Sequence, residues 1–129
     1  MPGPVLIVED DPATTLLFEA VLNHASIGSD HAADGAEALR KIEQQGYEAI
    51  LLDLVLPVVS GFELLRHLKD SRPDVLPRVV VVTAAADSTW RACAEIPLVH
   101  CLLRKPVDIG ELVRHVQLCR SAPLRYGQA

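Results

Sequence analysis

Val5-Leu6-Ile7-Val8-Glu9-Asp10-Asp11 joins four successive apolar residues to three carboxylates. Three of the four apolar residues are β-branched, which favours a strand over a turn of helix. A strand apolar at every position is buried on both faces, the habit of parallel sheets covered by helices. The pattern recurs along the chain. Ile50-Leu51-Leu52 ends at Asp53, and Val79-Val80-Val81-Val82 ends at Thr83. Val99, Cys101, Leu102 and Leu103 lead into Arg104, Lys105 and Pro106. A weaker strand falls within residues 25–33, where Ser29, Asp30 and His31 read poorly as buried.

Helical patterns fill the intervals. Asp11 can cap a helix whose first position is Pro12, with Leu16, Leu17, Ala20 and Val21 as its apolar face. Asp34 can cap a second, carrying Ala38, Leu39 and Ile42, and Ser60 a third, carrying Leu64, Leu65 and Leu68 and ending before Pro73. A fourth is expected over residues 87–95, stopped by Pro97, and Asp108 caps a fifth with Leu112, Val113, Val116 and Cys119 inward. The alternation predicts an α/β fold, a (βα)5 doubly wound parallel five-stranded sheet with right-handed crossovers.

Composition sets limits. The 129 residues are 50% hydrophobic and 22% charged, enough apolar surface for one core without a disulfide or metal staple. That length is expected to leave no room for a second large domain, such as a helix-turn-helix. Seventeen acidic against twelve basic residues give a formal charge of −5 with no basic run, so no direct nucleic-acid binding is expected. No signal peptide or membrane span is read, and a cytoplasmic protein is expected. Cys93, Cys101 and Cys119 have no zinc or disulfide spacing and read as small hydrophobes. His24, His31, His67, His100 and His115 are scattered without ligand spacing and read as structural or surface residues. Trp90 reads as a core residue or a partner-facing aromatic.

In an open α/β sheet ligands bind beyond the carboxyl ends of the strands. There the sequence places Asp10 and Asp11, Asp53, Thr83 and Lys105. Three carboxylates repel one another and call for a counter-charge, and oxygen donors without His or Cys suit Mg²⁺. With a hydroxyl and an ammonium added, the set suits phosphoryl chemistry, in which a carboxylate can itself be the acceptor.

These residues resemble the receiver domain of two-component response regulators, over a match from about Val5 to Cys119. The resemblance rests on the acidic pair Asp10–Asp11, on Asp53 in L-L-D-L-V-L-P-V-V-S-G with Pro57 and Gly61 following, on Thr83 with the small Ala84, and on Lys105 with Pro106. Thr83 and Lys105 lie 30 and 52 residues beyond Asp53, in the family's register. The resemblance implies a receiver domain over residues 4–120, a short flexible tail over 121–129, and the flavodoxin-like strand order 2-1-3-4-5. It further implies phosphoryl transfer onto Asp53 from a phosphohistidine on a sensor histidine kinase or histidine phosphotransfer protein. Asp11, Asp53 and the Val55 backbone carbonyl would hold Mg²⁺, with Asp10 acting through water or by shaping the pocket. Lys105 would pair with Asp53 at rest and with phosphoryl oxygens afterwards, and Thr83 would bond a phosphoryl oxygen, helped by backbone amides near Val55 and Ala84. The Lys105–Pro106 peptide would be cis. Such a domain assists its own phosphorylation and dephosphorylation without being a turnover enzyme, and signals to a downstream protein.

The chain departs from the family pattern at Leu102, where an aromatic switch residue is common, and around Pro97 and His100. A standard threonine–aromatic switch is therefore not expected. Homodimerisation through the fourth-helix to fifth-helix face, common in the family, would use this altered surface. Val55 and Ala85, at positions that tune dephosphorylation, cannot orient an attacking water. Two other functions fit less well. One is a receiver-like interaction domain that switches without phosphorylation. The other is an Mg²⁺-dependent phosphatase of similar fold, which would need a general acid where Val55 stands.

Overall fold

The computed structural model describes residues 4–121. Its strands are β1 (Val5–Val8), β2 (Ser29–Ala32), β3 (Ala49–Leu52), β4 (Val79–Thr83) and β5 (Cys101–Arg104). Its helices are α1 (Pro12–His24), α2 (Gly35–Gln44), α3 (Gly61–Ser71), α4 (Asp87–Arg91) and α5 (Ile109–Ser121). All strand pairs are parallel, in the order β2-β1-β3-β4-β5. The expected tail lies outside the described residues from position 122 onward.

The continuous apolar runs work as two-faced strands. Leu6, Val8, Ile50, Leu52, Val79 and Val81 join one core with Ala38 and Ile42 of α2 and Leu64, Leu65 and Leu68 of α3. Their neighbours Val5, Ile7, Ala49, Leu51, Val80 and Val82 join the other core with Phe18 and Leu22 of α1 and Leu112 and Val116 of α5. Successive side chains thus anchor opposite helical layers, which is why no polar residue interrupts these strands.

Helix starts follow the cap residues. The Asp11 side chain accepts from Thr14 N–H, with Pro12 in the first turn. Asp34 accepts from Glu37 N–H, and Asp108 from Glu111 N–H. Ser60 and Glu63 form a reciprocal capping box, satisfying two N–H groups that the helix itself leaves unpaired.

In α1 the inner face is Thr15, Phe18 and Leu22, while Leu16, Leu17 and Ala20 of the expected apolar face are exposed and Val21 is half-buried, because Phe18 and Leu22 at helical spacing fill the core. Two further elements differ from the sequence reading. The fourth helix runs only over Asp87–Arg91, and the 3₁₀ turn Ile96–Leu98 follows. No cap side chain secures α4 and none of its residues is buried. After it, Cys93 N–H and Ile96 N–H donate three residues back, to Trp90 and Cys93 carbonyls. Pro97, lacking an N–H, cannot continue the helical ladder back to the Cys93 carbonyl. The second element is an unforeseen 3₁₀ segment at Pro73–Arg78, placing Val75 and Leu76 in the core between α3 and β4.

Candidate functional site

The parallel register brings the ends of β1, β3, β4 and β5 together at one edge. Asp53 follows β3 and is nearly buried, 8% exposed. One of its oxygens accepts from Val55 N–H at 3.1 Å, the other from Lys105 Nζ at 3.1 Å. The same ammonium donates to Glu9 Oε1 at 2.9 Å. Glu9 continues the β1 ladder through its N–H to Ala32 O, and the residue is only 2% exposed. Glu9, Asp10 and Asp53 each offer an oxygen within 4.8 Å of the others. Thr83, buried at the end of β4, accepts from Ala85 N–H through Oγ1 at 3.0 Å. The Lys105–Pro106 peptide is cis.

The acidic set is shifted by one residue from the pair Asp10–Asp11. Asp11 is exposed, and its carboxylate is engaged as the α1 cap by Thr14 N–H at 3.0 Å and Thr14 Oγ1 at 2.6 Å. It lies outside the cluster formed by Glu9, Asp10 and Asp53. Glu9 is the residue that sequence reasoning missed. The signal was available. A residue directly before a proline-started helix is the natural cap, and the Asp11 carboxylate is taken up by two hydrogen bonds there. The residue next to the strand is the one still held in the sheet. Ala84 is exposed beside Thr83, and Val55 is exposed on the β3–α3 loop. Leu102, in the middle of β5, packs against the core that α2 and α3 share.

Burial raises the Glu9 pKa most, the Lys105 hydrogen bond and Asp11 N–H offset part of that, and the Asp53 charge raises it again. Burial alone would lower the Lys105 pKa. Its bonds to Glu9 and Asp53 outweigh that and hold the ammonium above its ordinary range. Thr14, by its hydroxyl and then its N–H, lowers the Asp11 pKa.

The donor set fits a hard divalent cation. Three carboxylates against one ammonium leave two negative charges, which a dication balances, and all the donors are oxygens of the kind Mg²⁺ prefers. The shifted set carries a test. Asp11→Ala is expected to lower Tm by a few degrees through loss of the cap while Mg²⁺ affinity changes less than about twofold. Asp10→Asn is expected to weaken Mg²⁺ binding at least about tenfold. Titration calorimetry and thermal melts check both, and equal loss of affinity in the two variants would restore Asp11 as a ligand.

The response regulator receiver domain family model matches residues 5–117. The chain is 32% identical to the transcriptional regulatory protein TrcR of Mycobacterium tuberculosis, over 95% of this chain and 48% of that protein. It is 32% identical to the sensor protein EvgS of Escherichia coli K12, over 92% of this chain and 10% of that protein. The chain therefore spans about half the length of the first relative and about a tenth of the second. Among solved structures, the receiver domain of the Pseudomonas aeruginosa sensor histidine kinase PA1611, with magnesium coordinated in its active-site cleft, superposes with a TM-score of 0.83 at 30% identity. That match covers 95% of this chain and all of the other.

Proposed function

The chain belongs to the response regulator receiver domain family, and on that premise we propose that Asp53 accepts a phosphoryl group from a phosphohistidine donor. The donor class is a sensor histidine kinase or a histidine phosphotransfer protein, met in the cytoplasm. The observation that carries this reading is the Lys105 ammonium bridging Glu9 and Asp53 beside Thr83 at one sheet edge.

In the transfer, an Asp53 carboxylate oxygen attacks phosphorus. The bond from phosphorus to the donor imidazole breaks, and the imidazole nitrogen takes the electron pair and picks up a proton. Glu9, Asp10 and Asp53 would hold Mg²⁺, which when bound offsets the phosphoryl charge that the carboxylate must approach. Lys105, already 3.1 Å from the acceptor carboxylate, needs no large movement to pair with the added oxygens. Thr83 Oγ1 now accepts from Ala85 N–H; its hydroxyl proton remains to donate to a phosphoryl oxygen. That new pairing is how the added charge would bias the surrounding loops toward a partner-binding form. Leu102 offers no aromatic ring to report the change, so the signal would leave through loop and helix positions around it.

Incubating the purified chain with phosphoramidate and Mg²⁺ tests the reading by intact mass. A gain of one phosphoryl group, labile to hydroxylamine and dependent on Mg²⁺, is expected. No gain would favour an interaction domain that switches by other contacts.

The phosphorylated form should be long-lived. Val55 is 61% exposed at the mouth of the site, and Ala85 stands two residues beyond Thr83. Neither side chain can hydrogen-bond an attacking water. We expect the acyl phosphate to decay over many minutes to hours in the purified protein, followed by phosphate-affinity electrophoresis. Decay within seconds would overturn this assignment.

A further inference from the structure

Folding brings together three side chains that look unrelated in the sequence. His100 precedes β5, Cys101 opens it, and His115 lies on α5. His100 Nε2 and His115 Nδ1 are 3.0 Å apart, with the rings edge to face at a centroid separation of 5.1 Å. One ring nitrogen from each histidine and Cys101 Sγ all fall within 4.8 Å of one another. All three residues are half-buried, and Cys101 opens the four-residue strand whose other end leads to Lys105.

We infer that His100, Cys101 and His115 form a second metal site, selective for Zn²⁺ or a similar borderline-soft cation. The donors are two imidazoles and a thiol, the set that zinc prefers and Mg²⁺ avoids. The chain would then carry one hard-cation and one soft-cation site, distinguished by donor chemistry.

The two nitrogens are close to the separation a tetrahedral ion requires, and the sulfur lies within 4.8 Å of a nitrogen of each ring. Zn²⁺ with bonds of about 2.0–2.3 Å holds its ligand atoms about 3.3–3.6 Å apart. The nitrogens now share a hydrogen bond at 3.0 Å, and an ion entering between them replaces that shared proton. The fourth coordination position would face solvent and hold a water. Burial, then the charges of His115 and Arg114, lowers the His100 pKa, which favours the neutral, donating form of the ring. Burial and then Glu111 push the Cys101 thiol up to about 11. Metal binding must therefore release the thiol proton to solvent as the metal–sulfur bond forms.

Arg114 is an opposing group in contact. Its Nη2 lies 3.4 Å from His115 Nε2. Binding through Nδ1 puts the ring proton on Nε2, facing that guanidinium. Arg114 is exposed, so it can swing away, and Arg114→Gln is expected to tighten the site.

The test uses untagged full chain, reduced, stripped with a chelator and held in saturating Mg²⁺. Titrated Co²⁺ is expected to bind at one equivalent with the sulfur-to-cobalt charge-transfer band and the intense visible bands of tetrahedral cobalt, and Zn²⁺ to displace it. Cys101→Ser should lose the charge-transfer band, and His115→Gln should weaken Zn²⁺ binding at least tenfold, each with an unchanged circular dichroism spectrum. The double variant Cys93→Ala, Cys119→Ala should retain the band. Absence of the band from the unaltered chain overturns the site, as does its persistence in both single variants or its loss only in the double variant.

Discussion

Asp53→Asn is expected to leave a folded protein that accepts no phosphoryl group from phosphoramidate, whatever the Mg²⁺ concentration. The amide matches the carboxylate in size but supplies no anionic oxygen for the attack on phosphorus. Its carbonyl can still accept from Val55 N–H or Lys105, and the ammonium keeps Glu9 as a partner at 2.9 Å. Removing the Asp53 charge also relieves one of the influences that raise the Glu9 pKa. The fold should therefore persist, and intact mass should show only the unmodified chain. A phosphorylated species surviving in this variant would move the acceptor to another carboxylate, with Asp10 the next to substitute.

Gly61→Ala should produce a large loss of stability from a single added carbon. A Cβ at Gly61 would stand 2.5 Å from the Asp53 carbonyl oxygen and 2.6 Å from Leu54 Cα. Both are backbone atoms, so no side chain can turn aside. Gly61 does not have a positive φ, so its role here is close approach, not conformational freedom. It also donates its N–H to Leu54 O at 3.0 Å, which draws α3 against the segment carrying Asp53. Relief of the clash must break that bond or displace Asp53. A cost of about 3 kcal/mol follows, or a drop of about 10 °C in Tm for a domain of this size. Phosphorylation should slow as well, since the acceptor shifts with its backbone. Gly28→Ala is the control, because a Cβ there meets nothing within 4 Å. Thermal melts of the two variants, followed by circular dichroism, compare them directly; equal Tm values would dismiss the close-approach argument.

Most of the architecture was legible because β1, β3 and β4 are buried on both faces. Such strands tolerate no polar residue, so their limits show as the first charge or hydroxyl after an apolar run. Those same limits mark the functional edge, and Asp53, Thr83 and Lys105 could be located together for that reason. Where the signals were weaker, the reading was less exact. Asp11 satisfied two rules, helix cap and strand-end carboxylate, and only the fold shows that the cap bonds claim it. Glu9 was overshadowed because its value lies in a partner 96 positions away, Lys105. The early end of α4 depends on backbone bonds in the 92–98 segment, where no cap side chain marks a boundary. The contact between His100 and His115 arises from packing α5 beside β5, and their separation of 15 positions matches no metal-binding spacing.

Ser29, Asp30 and His31 made β2 the hardest strand to recognise, and their polarity has a use at the end of the sheet. β2 pairs only with β1 and leaves its other side unpaired by any described strand. A flat apolar strand in that place would be a template for a strand from another molecule. Instead Asp30 accepts from Tyr47 OH at 2.8 Å and from Gln45 Nε2 at 2.6 Å, His31 Nε2 lies 2.8 Å from Glu9 O, and Lys41 donates to His31 O. The margin is thus anchored by side chains and carries charge. A protein whose neighbouring strands are as apolar as Val5–Val8 gains protection against edge-to-edge aggregation from the strand that looks least like one.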